Sequence, residues 1–327
     1  MRCFVTGIAG FAGAHLAEAL LAAGHDVTGS VTGADSRARL RSVAARHPCF
    51  DPDRLVTLDV ADRDTVMRAI AAAAPERVFH LAAIAFAPRA EQNAARTFAV
   101  NVLGTIHVLD AVRSAAPSAR VLVASSSEAY GAVAADDLPV TEATPLRPVN
   151  VYGVSKAAAD LVAYERWWTS DCAVVRTRAF NHTGPGQSPD FVCSDFARQI
   201  ARIEAGLAPP VLRVGNLRAA RDFSDVRDVV RGYALLAEHG VPGEAYNLCS
   251  GVATSVADIV AMLSGDSKVA IETSEERGRL RGREVPTVVG SAARAAALGW
   301  SPGISLRQTL RDLLQYWRQR IAADPTA

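Results

Sequence analysis

The sequence lacks the features that define several classes of protein. No apolar run in its 327 residues reaches the roughly 18 residues that cross a bilayer, so we expect no membrane-spanning segment. The N-terminal residues show no charged region, long apolar core and cleavage site of a secretory signal peptide. The net charge is only +1, which gives no electrostatic reason to expect a nucleic acid or a membrane surface as partner.

Cysteine is sparse and scattered. The five cysteines (Cys3, Cys49, Cys172, Cys193 and Cys249) form no CxxC pair, and their odd number does not suit a disulfide framework. We therefore expect reduced thiols in a cytoplasmic protein, with no zinc or other metal site. An internal repeat is also absent from the sequence.

The first half of the chain alternates short β-rich runs with helical patterns. The runs "RCFVTG", "HDVTGSV", "RLVTLDV", "RVFHLAA" and "ARVLVASSS" predict strands, and the segments between them predict helices. This alternation favours βαβ units in a parallel sheet whose strands are apolar on both faces. We therefore predict the α/β class, with a Rossmann doubly wound sheet and a smaller C-terminal α/β part.

The regular alternation ends near residue 181. Residues 171–181 predict one strand, 182–191 predict a loop rich in Gly and Pro, and 221–238 predict a loop followed by a helix. Asp225 and Asp228 are interpreted as cap and first-turn charges of that helix. Single long helices are predicted over 95–115 and 152–168. We assign 1–180 and 226–255 to the larger domain, and 181–225 and 256–327 to the smaller one.

The stretch "GIAGFAG" follows the first predicted strand and opens the first predicted helix. It contains Gly7, Gly10, Phe11 and Gly13. Glycines permit a tight turn, let a phosphate approach the backbone, and leave the N–H groups of a helix N-terminus facing a pyrophosphate. A strand–helix turn without ligand has the same pattern, but the strand–helix units around this one favour a dinucleotide site.

A second group of residues predicts acid–base chemistry. The motif "YGVSK" places Tyr152 and Lys156 four residues apart in a predicted helix, hence on one face. Ser126 ends the fifth predicted strand. We expect the Lys156 ammonium to move the pKa of Tyr152 from about 10 towards neutral pH, and Ser126 to hydrogen-bond the reacting carbonyl. A lone YxxxK is usually a surface pair, but together with the glycine turn it favours catalysis.

These motifs together resemble the extended short-chain dehydrogenase/reductase family, whose first turn reads GxxGxxG. The resemblance covers essentially the whole chain and implies a bound nicotinamide dinucleotide, with Tyr152 and Lys156 also contacting it. It implies further cofactor contacts after the third and fourth strands and from the helix that buttresses them: Asp59, Val60, Leu81, Ala82, Ala83 and Asn101. An aspartate after a strand is also a common helix cap, so Asp59 has that second interpretation.

The end of the second predicted strand bears on which dinucleotide is bound. An acidic residue there would bind the ribose hydroxyls of NAD, and the sequence has Gly29 and Ser30 instead. Ser30, Arg37 and Arg39 fit the 2′-phosphate of NADP, although the arginines equally fit a solvated helix face. We favour NADP(H), with NAD(H) as the alternative.

The string "SSSEAY" resembles the active-site segment of nucleotide-sugar dehydratases within this family. Matched residue by residue, Ser126 is the hydroxyl of the catalytic group, Ser127 the acid and Glu128 the base. A 4,6-dehydratase needs Glu128 to remove the proton at C5, whereas a ketoreductase needs only hydride, Tyr152 and Ser126. Glu128 equally fits a residue that hydrogen-bonds sugar hydroxyls, so both reactions stay open.

Residues 181–206 and 211–230 resemble GDP-4-dehydro-6-deoxy-D-mannose reductases and, less closely, GDP-mannose 4,6-dehydratases. The resemblance implies substrate contacts from Ser127, Asn181, Val192, Arg221, Arg281 and Glu284. Arginine forks bind a diphosphate through paired hydrogen bonds. Gly282 and Arg283 stand where these reductases usually have proline and a small residue, and the arginine-rich run also fits a solvated loop.

The combined expectation is a cytoplasmic, homodimeric enzyme acting on a GDP-sugar. The favoured reaction reduces the 4-keto group of GDP-4-dehydro-6-deoxy-D-mannose to GDP-6-deoxy-D-mannose with NAD(P)H. One alternative is a GDP-mannose (or GDP-heptose) 4,6-dehydratase that recycles NADP internally. Another is a non-catalytic nucleotide sensor, against which the intact set of Ser126, Tyr152 and Lys156 argues. The resemblance implies dimerisation through the long helices, 94–115 and 154–168.

Overall fold

The computed structural model describes residues 1–33, 36–37, 40–276, 278 and 285–326. The strands in these ranges are β1 (Arg2–Thr6), β2 (Asp26–Val31), β3 (Val56–Thr57), β4 (Arg77–His80), β5 (Arg120–Ser126), β6 (Val174–Ala179), β7 (Asn181–Thr183), β8 (Val211–Val214), β9 (Ala220–Asp225), β10 (Ala245–Leu248), β11 (Ala253–Ser255), β12 (Glu272–Glu275) and β13 (Thr287–Val288).

The helices in the same ranges are α1 (Phe11–Ala22), α2 (Arg41–Arg46), α3 (Arg63–Ala73), α4 (Ala87–Gln92), α5 (Ala94–Phe98), α6 (Gly104–Ala115), α7 (Val151–Ser170), α8 (Val192–Glu204), α9 (Val226–His239), α10 (Val256–Gly265), α11 (Ala293–Ala297) and α12 (Leu306–Ala323). A π-helical turn, Ala99–Leu103, joins α5 to α6. No helix in the described ranges is long and apolar enough to cross a membrane.

The largest sheet of the described chain has seven parallel strands in the order β10–β6–β5–β4–β1–β2–β3. The chain runs outward from β1 to β3, then returns to the other side of β1 and continues through β4, β5 and β6. Ligands of such sheets bind at the carboxyl edge beside this reversal. The arrangement confirms the predicted doubly wound α/β fold and places the expected site next to β1 and β4.

Alternate side chains of the central strands enter two separate cores. Cys3 and Val5 of β1 pack with α1 and α9, whereas Phe4 packs on the other face with α3 and α6. Because helices cover both faces, central strands such as β1 are apolar at successive positions. Each fully buried large apolar side chain contributes about 1.5–3 kcal/mol, so these two cores hold the carboxyl edge rigidly in place.

The second half of the chain adds a smaller α/β part. At its centre β9 pairs antiparallel with β11 and parallel with both β7 and β13, while β8 and β12 form a separate parallel pair. Helices α8, α10 and α12 pack on these strands around a third core. Between these elements the chain returns to the large sheet to form α9 and β10. The domain boundaries themselves stay a prediction.

The predicted loop at residues 221–225 is wrong, because these residues form most of β9. Phe223 packs into the third core, whereas the carboxylate of Asp222 is buried and accepts the N–H groups of Ser250 and Gly251, at 2.7 and 2.9 Å. A buried strand whose polar side chains find distant partners lacks the apolar alternation from which strands are predicted.

Three other predicted elements also differ in extent. The single helix predicted over 95–115 is interrupted by the π-helical turn, and the strand predicted over 171–181 divides at Phe180, where the chain leaves the large sheet to join β9. The third strand shortens to Val56–Thr57, both exposed at the sheet edge. The expectation of strands buried on both faces therefore fails for β3, the edge strand of the sheet, which pairs with β2.

Candidate active site

The glycine-rich turn joins β1 to α1 at the carboxyl edge. Gly7 has φ 69°, in the left-handed region, and a Cβ there would lie 2.9 Å from the Cα of Ala82. A Cβ on Gly13 would lie 2.3 Å from the carbonyl oxygen of Gly7 and 2.8 Å from that of Ile8. Real Cβ atoms do not approach other atoms so closely, so the turn requires glycine at both positions.

The same turn leaves the beginning of α1 open to a ligand. Gly10 is the N-cap residue, and no side chain among the described residues caps the helix. The N–H groups of the first turn, which begins at Phe11, therefore have the geometry and the partial positive charge that bind an anion. The glycine turn, residues 7–13, leaves space beside its backbone that a Cβ would fill, and it leads into a helix whose N-terminus has no side-chain cap. This glycine cradle fits the pyrophosphate of a dinucleotide.

Ser30 and Arg37 lie beside this turn, near the ends of β2 and β3. Ser30 is buried, and its hydroxyl accepts the N–H of Gly7 at 3.4 Å. The Arg37 guanidinium donates to the carbonyl of Leu55 at 2.7 Å and to the hydroxyl of Thr57 at 3.2 Å. Arg37 is half-buried, so both interpretations of this residue, as a 2′-phosphate ligand and as part of a solvated helix face, stay predictions. Arg39 lies outside the described residues.

A buried hydrogen-bond relay, missed by the sequence analysis, fixes the backbone after β4. The Thr6 hydroxyl accepts the N–H groups of Leu81 and Ala82, both at 3.1 Å, so its own proton goes to Nδ1 of His80 at 2.8 Å. Nε2 of His80 then donates to Thr105, whose proton goes to a carbonyl of the π-helical turn. Burial lowers the pKa of His80 to about 3, which keeps the ring neutral as this relay requires.

Asn101, in the π-helical turn, ties the segment after β4 to the catalytic helix. Its amide exchanges two hydrogen bonds with the main chain of Ile84, at 2.8 and 3.1 Å. It also donates to Ser155 at 2.9 Å, and Ser155 donates to the carbonyl of Tyr152 at 2.7 Å. Because the buried amide is engaged by the protein, we give Asn101 a positioning role rather than a direct cofactor contact.

The other predicted cofactor residues lie along the edge between β3 and β4. Asp59 pairs with Arg96, and its other oxygen accepts a main-chain N–H two residues on at 3.0 Å. Val60 is buried against Gly104, where a Cβ would lie 2.7 Å from its Cγ2. The half-buried residues 81–83 follow β4 directly. The structure therefore gathers these positions at the same edge as the glycine turn.

Ser126, Tyr152 and Lys156 meet at the carboxyl end of β5. Ser126 is the last residue of β5, and its hydroxyl lies close enough to the phenol of Tyr152, in the first turn of α7, to lower the pKa of that phenol. Lys156 follows one turn later, is 7% exposed, and donates from Nζ to the carbonyl of Ala124 at 2.7 Å. The three residues predicted from the strand end and the YxxxK spacing thus form one cluster.

The electrostatics of this cluster differ from the prediction. Burial raises the pKa of Tyr152 to about 12, opposed by the hydrogen bond with Ser126 and reinforced by the charge of Glu128. Burial also lowers the pKa of Lys156 to about 8. The expectation that Lys156 brings the pKa of Tyr152 towards neutral is wrong in the protein alone, because desolvation dominates and the ammonium is engaged by a carbonyl. Tyr152 is therefore a protonated phenol at neutral pH.

Glu128 lies in the turn that follows β5, next to Ser127, which is buried. Its N–H donates to the hydroxyl of Ser126 at 3.2 Å, and its carboxylate accepts from the amide of Asn150 at 2.8 Å. Asn150 is not among the residues predicted above, although an asparagine just before a predicted helix is a common N-cap signal. The contact holds Glu128 near Tyr152.

The loop that follows β7 reaches back to the glycine turn. The ring of His182 stacks on Phe11, with centroids 6.0 Å and planes 8° apart. Nε2 of His15, on α1, donates to the carbonyl of Pro185 at 2.8 Å. Burial lowers the pKa of both histidines, which keeps them neutral. These contacts, also missed from the sequence, join the expected cofactor turn to the expected substrate loop.

The described substrate residues lie on three elements of the smaller part. Asn181 begins β7 opposite Phe223, and Val192 begins α8 at the rim of the third core. Arg221, on β9, donates to the carbonyl groups of Ala220 at 2.8 Å and of a loop proline at 3.3 Å. The predicted contacts from Arg281 and Glu284, and the arginine-rich run around them, lie outside the described residues.

Among the described residues no group of three metal-binding side chains is present.

Comparison with known proteins identifies the family of this chain. A family model described as "GDP-mannose 4,6 dehydratase" matches residues 4–313. The chain belongs to the GDP-mannose 4,6 dehydratase family. Within it, the chain is similar to the GDP-6-deoxy-D-mannose reductase of Pseudomonas aeruginosa, with 37% identity over 98% of each chain. This confirms the resemblance to extended short-chain dehydrogenase/reductases.

Solved structures agree with this membership of the GDP-mannose 4,6 dehydratase family. The RMD protein of Pseudomonas aeruginosa, solved in complex with NADPH, is 34% identical with a TM-score of 0.84, covering 98% of this chain and 100% of that one. The UDP-glucose 4-epimerase of Thermus thermophilus, solved with NAD, is 26% identical with a TM-score of 0.82, covering 97% and 99%. Both share the doubly wound fold described above.

Proposed function

We propose that this protein reduces the 4-keto group of GDP-4-dehydro-6-deoxy-D-mannose to give GDP-6-deoxy-D-mannose. The observation that carries the proposal is the cluster of Ser126, Tyr152 and Lys156 beside the glycine cradle. A ketoreductase needs a proton donor and a polarising hydroxyl at the carbonyl oxygen. The 37% identity to a GDP-6-deoxy-D-mannose reductase supports this reaction over its rivals.

The cradle would hold a nicotinamide dinucleotide, which supplies a hydride to C4 of the sugar. The uncapped start of α1 binds the pyrophosphate, and the edge residues Asp59 and Val60 line the adenine side. We favour NADPH, because Ser30 rather than an acidic residue stands near the end of β2, and the Arg37 guanidinium is held at the neighbouring strand β3. The NADPH complex of a protein 34% identical supports this choice, with NAD(H) as the alternative.

Tyr152 supplies the proton. Its pKa of about 12 keeps the phenol protonated at neutral pH, so it can donate to the alkoxide that develops at the C4 oxygen. Ser126 donates a hydrogen bond to the same oxygen and polarises the carbonyl. Lys156, charged below its pKa of about 8, lies one helical turn behind and stabilises the phenolate that the proton transfer leaves.

The smaller part would bind the GDP-sugar. Asn181, Val192 and Arg221 lie on β7, α8 and β9, and Ser127 with Glu128 reaches the sugar from the turn after β5. We propose that Arg221 and Arg281 bind the diphosphate and that Glu284 binds the guanosine. We likewise propose that residues 1–180 and 226–255 form the dinucleotide-binding domain, and 181–225 and 256–327 the nucleotide-sugar-binding domain.

The proposal is tested by the absorbance of NADPH. Purified protein is mixed with NADPH and GDP-4-dehydro-6-deoxy-D-mannose, and the product is identified by mass and NMR. Stoichiometric loss of NADPH with formation of GDP-6-deoxy-D-mannose is the expected result. The matched control replaces the keto sugar by GDP-mannose, which has no 4-keto group to reduce. Absence of NADPH oxidation with the keto sugar would refute the proposed reaction.

A GDP-mannose 4,6-dehydratase is the second candidate, favoured by one observation. Glu128 is fixed at the site by a 2.8 Å hydrogen bond, as a base that removes the C5 proton would need to be. Here the bound nicotinamide would be recycled, so GDP-mannose and NADP would yield a keto sugar with no net absorbance change. Glu128→Gln separates the candidates, since it abolishes dehydration but spares much of a reduction.

We also propose a cytoplasmic homodimer. Large apolar side chains are exposed along α5, the π-helical turn and α7: Phe98, Leu103, Val154, Leu161, Tyr164 and Trp168. Trp168 is 71% exposed, which suits burial against a second copy. Light scattering tests the dimer, and Leu161→Glu should yield monomers. The five free thiols suit a reducing compartment.

A further inference from the structure

Asn150 stands between the two acid–base side chains of the site. Its Oδ1 accepts the N–H of Gly153 at 2.7 Å and so caps α7, whose first turn carries Tyr152. Its Nδ2 donates to Oε2 of Glu128 at 2.8 Å. One planar amide therefore connects the beginning of the catalytic helix to the carboxylate of Glu128.

The surrounding contacts show that the second hydrogen bond is not needed for capping. The N–H of Val151 already donates to Glu91 at 2.9 Å, and Oδ1 of Asn150 satisfies the N–H of Gly153. Ser, Thr and Asp cap helices about as well as Asn does. Among these residues only Asn combines a capping acceptor with an N–H donor on the same planar group.

The main chain keeps the helix and the turn in fixed contact. A Cβ on Gly153 would lie 2.5 Å from the carbonyl oxygen of Glu128, so α7 begins directly against this turn. The N–H of Glu128 is held by Ser126 at 3.2 Å. With both main-chain segments fixed, the Asn150 amide decides where the flexible carboxylate of Glu128 points.

We propose that Asn150 is a positioning residue, which holds the Glu128 carboxylate beside Tyr152 so that both side chains face the same sugar. The inference rests on the proposed action on a GDP-sugar. It assigns to Asn150 a part in binding the hexose and no part in binding the GDP portion of the substrate.

The test is Asn150→Asp, which keeps the capping oxygen and replaces the N–H donor by an oxygen that repels Glu128. If Asn150 only caps α7, this variant behaves as wild type. If Asn150 positions Glu128, the Kd of GDP-mannose rises about tenfold or more, as expected for loss of a hydrogen bond to a charged group. The Kd of GDP, which lacks the hexose, and the melting temperature stay at their wild-type values. In turnover of the keto sugar the loss appears mainly in KM.

Repeating the substitution in a Glu128→Gln protein separates the positioning of residue 128 from the capping of α7. In Glu128→Gln the new amide can donate to the carboxylate introduced by Asn150→Asp, which restores the contact with reversed polarity. We therefore expect Asn150→Asp to change the Kd of GDP-mannose less than about twofold in this background. Asn150→Ser, another capping residue with a shorter side chain, gives a second variant with the same expected loss on the wild-type background.

Three results would overturn the inference. They are an unchanged Kd of GDP-mannose in Asn150→Asp and Asn150→Ser, an equal loss for GDP and GDP-mannose, or the same loss with and without Glu128→Gln. Because calorimetric binding needs no turnover, a failure of the proposed reaction is seen separately, as wild-type protein that binds GDP-mannose but does not oxidise NADPH with the keto sugar.

Discussion

The glycine turn on the large sheet and the junction of β9, α9 and the C-terminal segments are held in place by different interactions. On the large sheet, the site backbone is set by close main-chain contacts, such as Gly7 against Ala82, and by a neutral relay through His80. Charge contributes little to these contacts. The geometry depends instead on the absence of Cβ atoms at the turn.

At this junction, buried carboxylates make the corresponding contacts. Asp225 caps α9 and also binds Arg227 at 2.7 Å and Thr309 at 2.8 Å. Asp228 accepts the N–H groups of Gly303 and Ile304, both at 2.8 Å. These two aspartates are the cap and first-turn acid of α9, as predicted, and they also fasten the C-terminal segments to that helix.

The difference teaches that the two parts respond to different perturbations. Added volume disturbs the glycine turn, whereas loss of a negative charge disturbs the contacts around α9. Four variants or conditions test this contrast, from the largest expected effect to the smallest.

Tyr152→Phe should remove the chemistry and leave the smaller part intact. Loss of the proton donor is expected to lower kcat by about 10²–10⁴-fold. The Kd of GDP and the melting temperature should stay close to wild type, because the ring volume is retained. NADPH absorbance and calorimetry measure both quantities. A variant that kept full activity would exclude Tyr152 as the donor.

Asp225→Asn should loosen the smaller part without changing the cofactor turn. The Arg227 guanidinium is 38% exposed and keeps its contact with Asp312, so loss of the Asp225 charge is expected to lower the free energy of unfolding by about 1–3 kcal/mol, measured with urea at neutral pH. Burial favours protonation of Asp225, but hydrogen bonds from Arg227 and Thr309 outweigh it and lower its pKa. Its stabilisation is therefore present above about pH 4 and is lost as the pH falls below that value.

The difference in unfolding free energy between wild type and Asp225→Asn should accordingly shrink in acid. Asp64→Asn is the matched control, because Asp64 lies in an exposed pair with Arg63 and its loss should change stability by less than about 1 kcal/mol. An equal loss in both variants would contradict the assignment to buried charge, as would weakened NADPH binding in Asp225→Asn.

Gly13→Ala should disturb the cofactor turn and leave the smaller part unchanged. Its Cβ would meet the Gly7 carbonyl oxygen at 2.3 Å, so the turn must shift, at an expected 1–3 kcal/mol or about tenfold in NADPH affinity. Fluorescence titration of NADPH measures this. Gly265→Ala is the control, since its Cβ meets no described atom within 4 Å. NADPH affinity equal in both variants would show that the turn tolerates a side chain.

The pH dependence of reduction gives the smallest effect. Since the pKa of Tyr152 is about 12, the phenol stays protonated, and kcat/KM should be level through neutral pH. Above about pH 8 Lys156 loses its proton, so the rate should fall by up to tenfold per pH unit. Circular dichroism at each pH verifies that the protein remains folded. A rate that rises between pH 7 and 9 would indicate that the phenolate is the active form.

The parts of the site that the sequence predicts are those defined by short spacings. The glycine turn needs only a strand, three glycines and a helix, and the pair of Tyr152 and Lys156 needs only the helical repeat. The βαβ order follows from alternating local patterns in the same way. Each of these features is complete within a few residues, so one sequence suffices to find it.

The unpredicted parts join residues far apart in the chain. Thr6 reaches His80 across 74 positions, His15 reaches Pro185 across 170, and Asn150 reaches Glu128 across 22. The position of Asn150 just before a predicted helix indicates an N-cap, but no nearby residue in the sequence indicates Glu128 as its second hydrogen-bond partner. Strand β9 was missed for the same reason, since its buried Asp222 is satisfied by a loop that only the fold brings near.

By itself the sequence determined most of the order of strands and helices, the glycine turn and the side chains proposed to be catalytic, because local backbone preferences and residue spacing decide these. The tertiary structure decided the protonation of those side chains, with Tyr152 held as a phenol and the pKa of Lys156 lowered to about 8. Protonation follows from burial and from partners brought in by distant segments, and removal from water is a property of the whole packed molecule.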